Sequence, residues 1–548
     1  MADHDIGGES TGMLAFDVVI VGAGFSGCYA LYKLRQLGYS AKILEAGSDF
    51  GGVWHYSRYP GARVDSDTPS YQFSLPKVWE TFNFKERFPG HEEIRQYFSH
   101  VDATLGLRVD TIFDARVDNV KYDASSARWN FHTERGLRIS SRFAIFACGS
   151  FSKPYLPSLP NLETFRGDII HPSAWPERLQ LKGKNIGIIG QGASGLQLVQ
   201  ELAKEDCQLT IFVRNPCLAV PMRQRSLPYR ESEELKNYYD GIFYKAKFGS
   251  SSAIAYNQNT DHFHGTSDED SLALFERLWN RGGFGLTLSN YRDVMFDKAA
   301  NSSVYDFWAR KTRARMTDPE KRDIVAPLEQ FQWFGAKRVN LEMDYYEMLD
   351  RPNVKIVDLK KTPITSCYDQ GIVIEGRESL QHHRLDVIIA ATGYDSVTGG
   401  LFEMNIHDKH DVKLQKTWEA GIDTYLGMLV PGMPNAFLLY GPQAPTTHTN
   451  APSFIELQVD WIASLLGKMR KDDVRSVEPA EQSCRSWKEK VANAFNAGLF
   501  RDSTAWWTGA NIAGKRVEPL VFFGGVQAWR EECQLALEDW SSFRVTKT

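Results

Sequence analysis

Two glycine-rich loops with the same spacing are the parts of this sequence best suited to binding phosphate groups. The first glycine loop is Gly22-Ala-Gly-Phe-Ser-Gly27, and the second glycine loop is Gly190-Gln-Gly-Ala-Ser-Gly195. Each follows an apolar run typical of a buried parallel strand and precedes a run typical of a helix. Glycines at this spacing allow a tight turn, the approach of a diphosphate and close packing of the helix. The pair therefore predicts two dinucleotide sites in one chain.

The residue at the end of the next strand differs in charge between the two units. After the first glycine loop that strand ends in Glu45, which can accept hydrogen bonds from ribose hydroxyls. No arginine or lysine follows it closely, which favours FAD or NAD over NADP. After the second glycine loop the strand ends in Arg214 and Asn215, and a guanidinium suits a ribose 2′-phosphate. We predict FAD in the first site and NADPH in the second, with an exposed strand-end arginine as the alternative for Arg214.

Two longer motifs, at residues 51–65 and 165–176, point to a known family. Residues 165–176 fit the pattern F-x-G-x-x-x-H-x-x-x-W-P at all five defined positions, and residues 51–65 fit G-G-x-W-x-x-x-x-Y-P-G-x-x-x-D. Both patterns resemble motifs of the type I Baeyer–Villiger monooxygenases, and the resemblance extends from about residue 14 to residue 515. The sequence departs from the commonest form at Ser57, where asparagine is usual, and we expect no functional consequence. A packed surface loop is the alternative for residues 51–65.

The resemblance implies a flavin monooxygenase that depends on FAD and NADPH. Such enzymes insert one oxygen atom of O2 beside a ketone carbonyl, through a peroxide at the C4a atom of the flavin, and give an ester or a lactone. The segment Gly335-Ala-Lys337-Arg338 resembles the G-x-K-R motif of the family. It implies Arg338 as the catalytic cation and Asp65 as the carboxylate that positions it. For an isolated Lys-Arg pair, a basic turn on the surface would be the alternative.

The resemblance also implies which residues contact the cofactors. The expected FAD contacts are Gly22, Gly24, Phe25, Gly27, Glu45, Gly52, Val53, Trp54, Asp65, Tyr71, Val117 and Asn450. The expected NADP contacts are Arg63, Gly190, Gln191, Gly192, Ser194, Gly195, Arg214, Asn215, Lys337, Arg338 and Trp506. In the family the last of these lies on a mobile loop over the nicotinamide, and core packing is its alternative.

The composition bounds the other classes of function. The chain has 548 residues, 43% of them hydrophobic and 24% charged, which is enough for two or three globular domains. A net charge of -5 and the lack of a basic run predict no nucleic-acid partner. The start is acidic, no apolar run is long enough to span a membrane, and the seven cysteines include no C-x-x-C pair. We expect a cytoplasmic enzyme without a metal site or an obligate protein partner, and the resemblance implies a small ketone and O2 as its substrates.

The order of the elements predicts an α/β fold with two Rossmann-like dinucleotide-binding domains. Period-two alternation over 108–147 predicts antiparallel hairpins, and the helical pattern over 226–334 predicts an insertion able to line the substrate pocket or to form a lid. The predicted parts are a loose arm over 1–13, an FAD-binding domain over 14–152 and 385–540, an NADPH-binding domain over 153–225 and 335–384, and the helical insertion over 226–334.

Three other functions are weighed against this prediction. An N- or S-oxygenating flavin monooxygenase shares both glycine loops but commonly lacks the Trp-Pro of residues 175–176 and the arginine of the G-x-K-R motif. A pyridine-nucleotide disulfide reductase would need the C-x-x-C pair that this chain lacks. A non-catalytic NADPH-binding module would have no need of the motif at residues 51–65.

Overall fold

Two sheets, each with a glycine loop at the end of a central strand, organise this protein. The computed structural model describes residues 13–446 and 448–547. The N-terminal arm predicted over residues 1–13 lies outside the described residues except for Met13. Among the described helices, none is long and apolar enough to cross a membrane.

The first sheet has eight strands and carries the first glycine loop. In spatial order its strands are Ile406–His407, Val117–Asp123, Arg128–Thr133, Arg138–Phe146, Leu14–Val21, Ala41–Leu44 and Thr111–Ile112, with Ala436–Leu438 also paired to Arg138–Phe146. The strand Leu14–Val21 runs parallel to both neighbours. Its alternate residues enter two different core clusters, so both faces of the sheet are covered. The antiparallel hairpins predicted over 108–147 are confirmed.

The second sheet has five strands and carries the second glycine loop. In spatial order its strands are Val354–Asp358, Gln208–Val213, Asn185–Ile189, Val387–Ala390 and Asp168–Ile170. All neighbours in this sheet are parallel. The second glycine loop leaves the strand Asn185–Ile189 and enters the helix Ala193–Leu202. Because each sheet contains a strand, glycine loop and helix in succession, the predicted α/β fold with two Rossmann-like units is confirmed.

Smaller sheets and helices complete the structure. The other paired strands are Ala219–Pro221 with Asn340–Glu342, Ile364–Tyr368 with Gly371–Glu375 and Leu380–Arg384, and Val474–Pro479 with Phe543–Lys547. The α-helices of the described residues are Phe25–Gln36, Val53–Tyr56, Pro76–Trp79, His91–Leu105, Ala193–Leu202, Tyr229–Lys236, Tyr239–Phe248, Asp268–Arg281, Gly285–Leu288, Lys298–Arg313, Pro319–Val325, Tyr345–Leu349, Gly399–Glu403, Leu414–Thr417, Ala451–Lys471, Glu481–Ala497 and Gly525–Glu538. Six of them fall within 226–334, as predicted for the insertion.

The glycine-rich segment 51–65 differs from the prediction, because it contains a helical turn where the composition predicted no element. Residues Val53–Tyr56 form this turn directly after Gly51 and Gly52, whose φ angles are 135° and 54°. Two successive residues with positive φ reverse the direction of the chain, and the next four residues then form a closed turn. The backbone N–H of Trp54 then donates to the carbonyl of Gly51 at 3.1 Å.

The chain crosses between the two sheets twice, and the two crossings lie side by side. The backbone N–H of Tyr155 on the first crossing donates to the carbonyl of Gly393 on the second at 2.9 Å, and the hydroxyl of Thr392 donates back to the carbonyl of Tyr155 at 2.5 Å. Across the same junction, Tyr59 donates to the side chain of Gln197 on the helix after the second glycine loop at 2.7 Å. The two glycine loops are therefore held on facing sides of one junction.

The contact between the first glycine loop and its helix makes a prediction about stability. A Cβ atom at Gly27 would lie 1.9 Å from the carbonyl oxygen of Gly22. The helix would have to move away from the loop, so we expect Gly27→Ala to lower the free energy of unfolding by roughly 1–3 kcal/mol. Gly241→Ala is the matched control. Nothing lies within 4 Å of a Cβ added at this position, and alanine has a higher helix propensity than glycine. Equal thermal midpoints for the two variants would contradict this packing.

Candidate active site between the two nucleotide units

The first glycine loop fits the diphosphate of a dinucleotide. The helix Phe25–Gln36 begins at Gly24 without a side-chain cap and without an acid in its first turn, so its N-terminal N–H groups are available to an anion. Gly24 meets Gly52 from the neighbouring loop so closely that a Cβ at Gly52 would lie 2.9 Å from the Cα of Gly24. Two backbones without side chains thus form one surface, which is the shape that a close-lying diphosphate requires.

Glu45 lies buried directly after the strand Ala41–Leu44, as predicted. One of its carboxylate oxygens accepts from the N–H of Ala23 at 2.6 Å, and the other accepts from the N–H of Gly47 at 2.7 Å. Burial raises the pKa of Glu45, and these backbone bonds oppose the rise. Arg116 also stabilises the carboxylate, a cation that the local sequence did not reveal. The carboxylate therefore holds the first glycine loop in place, in addition to the ribose contact that the resemblance implies.

Aromatic side chains line the far side of the first glycine loop. Trp54 donates its ring N–H to the hydroxyl of Tyr71 at 2.9 Å, and Phe25 packs edge-on against Tyr71 at 5.1 Å between centroids. Val53, at the start of the same turn as Trp54, keeps 37% of its surface exposed. The structure thus brings together four of the predicted FAD contacts, which span 46 positions of the sequence: Phe25, Val53, Trp54 and Tyr71. Val117, by contrast, is buried in the hairpin strand of the first sheet.

Asn450 also joins this region, from the N-terminus of the long helix Ala451–Lys471. Its side-chain N–H group donates to the carbonyl of Ser70 at 2.7 Å. Its side-chain oxygen is buried and accepts from no described residue. A buried acceptor without a donor is costly unless a bound molecule supplies the donor. This orphaned oxygen therefore fits the presence of FAD beside Asn450.

The second glycine loop has the same construction. The helix Ala193–Leu202 begins at Gly192 without a side-chain cap and without an acid in its first turn. A Cβ at Gly195 would lie 2.3 Å from the carbonyl of Gly190, whereas nothing lies within 4 Å of a Cβ at Gly192. The open space at Gly192 and the uncapped N–H groups, which extend to Ser194, suit a second diphosphate. Gln191 is held within the protein instead, by its own loop and by the hydroxyl of Tyr345.

Three cations gather where the second unit would bind a ribose phosphate. Burial lowers the pKa of Lys337, and the neighbouring charges of Arg214 and Lys360 lower it further. Arg214 and Asn215 directly follow the strand Gln208–Val213, as predicted, and both are exposed, which the alternative for Arg214 also expects. Neighbouring cations favour a bound anion, because the anion relieves their repulsion. Lys360 was not predicted, since it approaches from the end of a different strand.

Arg63, one of the predicted NADP contacts, is paired with an acidic residue of the protein. Its guanidinium forms an ion pair with Glu86 and donates to the carbonyl of Phe88. Its backbone carbonyl accepts from the side chain of Gln197 at 2.9 Å, which places it beside the helix of the second unit. The Nε atom of Arg63 is buried and donates to no described residue. Arg63 is thus located at the predicted unit, with its charge balanced by Glu86.

Arg338 and Asp65 form the ion pair at the centre of the site. The Nε atom of Arg338 donates to one oxygen of Asp65 at 2.8 Å, and Nη2 donates to the other at 2.9 Å. The guanidinium also lies over the ring of Phe284, 4.7 Å from its centroid. Burial would lower the pKa of Arg338, but the charge and hydrogen bonds of Asp65 outweigh burial and raise it. The pair therefore fixes a permanent cation in one orientation between the two units.

A small cavity lies against this ion pair. Its walls come from the helical insertion (Ile254, Phe284, Thr287 and Leu288), from Arg338 and the adjacent Val339, and from His448 in the segment before the long helix. The insertion therefore contributes to the walls of this cavity, and its role in a substrate pocket stays a prediction. Phe284 and His448 were missed by sequence reasoning, because neither belongs to a motif and both reach the cavity only through long-range packing.

The segment 165–176 contacts the second crossing between the sheets. Nε2 of His171 lies 2.9 Å from the carbonyl of Gly393, while Nδ1 accepts from the N–H of Ser173 at 3.2 Å. This assigns the proton of the imidazole to Nε2, which donates to Gly393. Burial lowers the pKa of His171, in the direction that agrees with Nδ1 acting as an acceptor. These contacts tie the segment 165–176 to the second crossing between the sheets.

Trp506 packs at the outer edge of the junction. Its ring lies edge-on to Phe151 at 5.2 Å, and Phe151 in turn contacts Tyr394 of the second crossing. Trp507 is fully buried, whereas Trp506 is partly exposed. Core packing, the alternative to a cofactor contact, therefore describes Trp507 better than Trp506.

Comparisons with known proteins agree with the fold and with the two predicted cofactors. Residues 19–305 match the family described as pyridine nucleotide-disulphide oxidoreductase. The cyclopentanone 1,2-monooxygenase of a Comamonas species is 36% identical over 507 residues, covering 92% of this chain and 91% of that protein. A Baeyer–Villiger monooxygenase of Pseudooceanicola batsensis is 32% identical over 527 residues, covering 96% of this chain and 95% of that protein. A crystal structure of OTEMO in complex with FAD and NADP has a TM-score of 0.92 and 31% identity, covering 98% of this chain and 100% of that one.

The cluster of cations makes a prediction about cofactor choice. We expect Arg214→Ala and Lys337→Ala each to lower the preference for NADPH over NADH by roughly 10- to 100-fold, because each removes a charge-assisted bond to the 2′-phosphate. The ratio of kcat/KM for the two cofactors measures this preference. Lys355→Ala is the control, since this exposed lysine lies within the strand Val354–Asp358 rather than at its end. A ratio unchanged in both cluster variants would contradict the assignment.

Proposed function

The chain belongs to the pyridine nucleotide-disulphide oxidoreductase family and, within it, to the Baeyer–Villiger monooxygenases, and we propose that Arg338, held by Asp65, is its catalytic cation. The reaction inserts one oxygen atom of O2 next to a ketone carbonyl and depends on FAD and NADPH. The observation that carries the proposal is the two-bond ion pair of Arg338 and Asp65 beside the cavity. The roles of the individual residues follow from that geometry.

The cofactors supply the redox chemistry. When bound, FAD and NADPH provide the electrons and the ring system at which O2 is activated. We infer that the uncapped helices after the two glycine loops hold their diphosphates, and that Asn450 supplies an acceptor to the flavin. Arg214 and Lys337 hold the 2′-phosphate of NADPH. The other predicted contacts stand as proposed for FAD and NADP.

Arg338 stabilises negative charge in the pocket. When an oxygen nucleophile adds to a ketone carbonyl, the ketone oxygen becomes negative, and a fixed cation beside it lowers the barrier. A guanidinium is charged at every working pH, and the raised pKa of Arg338 strengthens that state. Asp65 and the ring of Phe284 hold the guanidinium from two directions, so that little reorientation is needed during the reaction.

The substrate class is proposed from a relative and from the apolar residues beside Arg338. Ile254, Phe284 and Leu288 form an apolar wall there, against which the hydrocarbon part of a ketone can pack. The Comamonas relative is named for cyclopentanone, a cyclic ketone. We propose the same class for this chain, with a lactone as the product.

The rival functions have less support. The Arg338–Asp65 pair gives the site a cation suited to a carbonyl oxygen. Oxygenation of an amine or a thioether has no comparable need for such a cation. The seven cysteines are all free, and the sequence has no C-x-x-C pair for a disulfide reductase. Free thiols also support a reducing compartment, and we propose the cytoplasm. The domain boundaries given above, at 152, 225, 334 and 384, remain proposals.

Product analysis tests the reaction class. We expect incubation with NADPH and air to convert cyclic ketones into lactones that are one oxygen atom heavier, measured by mass spectrometry. A thioether and a tertiary amine are included in the same mixture. Exclusive formation of sulfoxide or N-oxide, with every ketone recovered intact, would contradict the proposal.

Removal of the guanidinium tests its role. We expect Arg338→Ala to retain FAD and its anaerobic reduction by NADPH while losing at least about 100-fold in the rate of lactone formation, because the cation at the ketone oxygen is gone. Arg310→Ala is the control, as an exposed arginine on the helix Lys298–Arg313. Lactone formation by Arg338→Ala at the rate of this control would overturn the assignment.

A further inference from the structure

The cavity beside Arg338 contains one polar side chain that the proposed reaction does not use. This side chain is His448, which faces walls that are otherwise mainly apolar. Thr287 is the other polar lining residue besides Arg338, and its hydroxyl already donates to the carbonyl of Phe284 at 3.0 Å. The Nε2 atom of His448 is buried and has no hydrogen-bond partner among the described residues. The residues that line the cavity therefore include two with distinct polar groups, the guanidinium of Arg338 and the imidazole of His448.

Aromatic residues fix the ring of His448. Its centroid lies 5.2 Å from that of Trp507, 5.5 Å from Phe500 and 6.0 Å from Phe523. Trp507 is fully buried, and Phe500 and Phe523 stack on one another at 4.1 Å. These rings offer contact area but no strong hydrogen-bond acceptor for the imidazole. A ring held in this way keeps its nitrogen atoms in one place, as a recognition group requires.

His448 is uncharged at every working pH. Burial, followed by the charge of Arg338, lowers the pKa of His448 to about 3. A neutral imidazole carries one N–H donor and one acceptor nitrogen. It cannot balance an anion, and it is too weak a base to take a proton from a substrate at neutral pH. What it can do in this position is to form a hydrogen bond with an oxygen atom or a hydroxyl group of a bound molecule.

We propose that His448 is a specificity residue that hydrogen-bonds a second oxygen function of the ketone substrate, such as a hydroxyl group on its ring. This inference rests on the proposed function, since it takes the cavity as the ketone site. A ketone with a single oxygen can satisfy either Arg338 or His448, and the charged guanidinium forms the stronger bond. The imidazole is then left buried without a partner, at a cost that a hydroxylated ketone avoids.

Matched pairs of ketones test the proposal. The probes are cyclohexanones with a hydroxyl group at C2, C3 or C4, each compared with the cyclohexanone that carries a methyl group at the same carbon. The methyl group has a similar size and cannot form the hydrogen bond. We expect the wild-type enzyme to favour the hydroxylated member, in kcat/KM and in the dissociation constant from calorimetry, by about 10- to 100-fold at one position at least.

Substitutions of the histidine link this preference to the side chain. We expect His448→Phe to bring the ratio within a pair close to one, because phenylalanine keeps the aromatic contacts and removes both nitrogen atoms. His448→Gln retains a donor and an acceptor and should keep most of the preference. His410→Phe is the matched control, since this histidine is exposed and does not line the cavity, and its ratio should equal that of the wild type.

The outcomes separate this inference from the function on which it rests. Lactones formed from both members of every pair with equal efficiency by the wild-type enzyme would overturn the role of His448 and leave the reaction class intact. A preference that survives in His448→Phe would also overturn it. Failure to oxygenate any ketone, with FAD bound and reduced by NADPH, would overturn the proposed function and this inference together.

Discussion

The ion pair between Arg338 and Asp65 is the interaction on which the rest of the structure depends. The two residues are 273 positions apart in the sequence, and we propose that each belongs to a different nucleotide unit. A guanidinium that is drawn out of water is costly without a partner, so the units must meet in a way that supplies one. The paired crossings, the contact of Tyr59 with Gln197 and the ring of Phe284 all serve this meeting. The cavity for the substrate lies where that arrangement leaves space.

The two nucleotide units show how one local design receives two cofactors. Both have an uncapped helix after a glycine loop, which provides for the diphosphate. They differ at the end of the following strand, where the first has the buried acid Glu45 and the second has the exposed Arg214. The second unit then adds Lys337 and Lys360 from other strands and segments. We propose that the choice between the two cofactors depends on these few charges.

The sequence predicted those features that depend on residues close together in the chain. The glycine loops, their strands and helices, the hairpins over 108–147 and the helical insertion all have local patterns, and the structure confirms them. The pairing of Arg338 with Asp65 could be expected only from the family resemblance, because no spacing in the sequence brings them together. Phe284, Lys360 and His448 were not predicted. Each reaches the site through long-range packing and belongs to no recognisable motif.

The backbone conformation of residues 51–65 was also not predicted from the sequence. A segment rich in glycine predicted an irregular loop, yet Gly51 and Gly52 turn the chain so that Trp54 lies in a helical turn and its ring reaches Tyr71. The glycine content of the segment indicates that the unfolded chain is flexible there. It does not indicate which conformation the segment takes in the folded protein. Tertiary contacts decided that conformation.

A double-mutant cycle on the central ion pair tests the account most directly. It compares kcat/KM for lactone formation from a cyclic ketone in the wild type, Asp65→Ala, Arg338→Ala and the variant with both changes. If Asp65 acts by holding Arg338, the double variant should be no slower than Arg338→Ala alone, because the carboxylate has nothing left to position. If the losses of the two single variants multiply in the double variant, the residues act independently, and the account of the site as one paired unit is wrong.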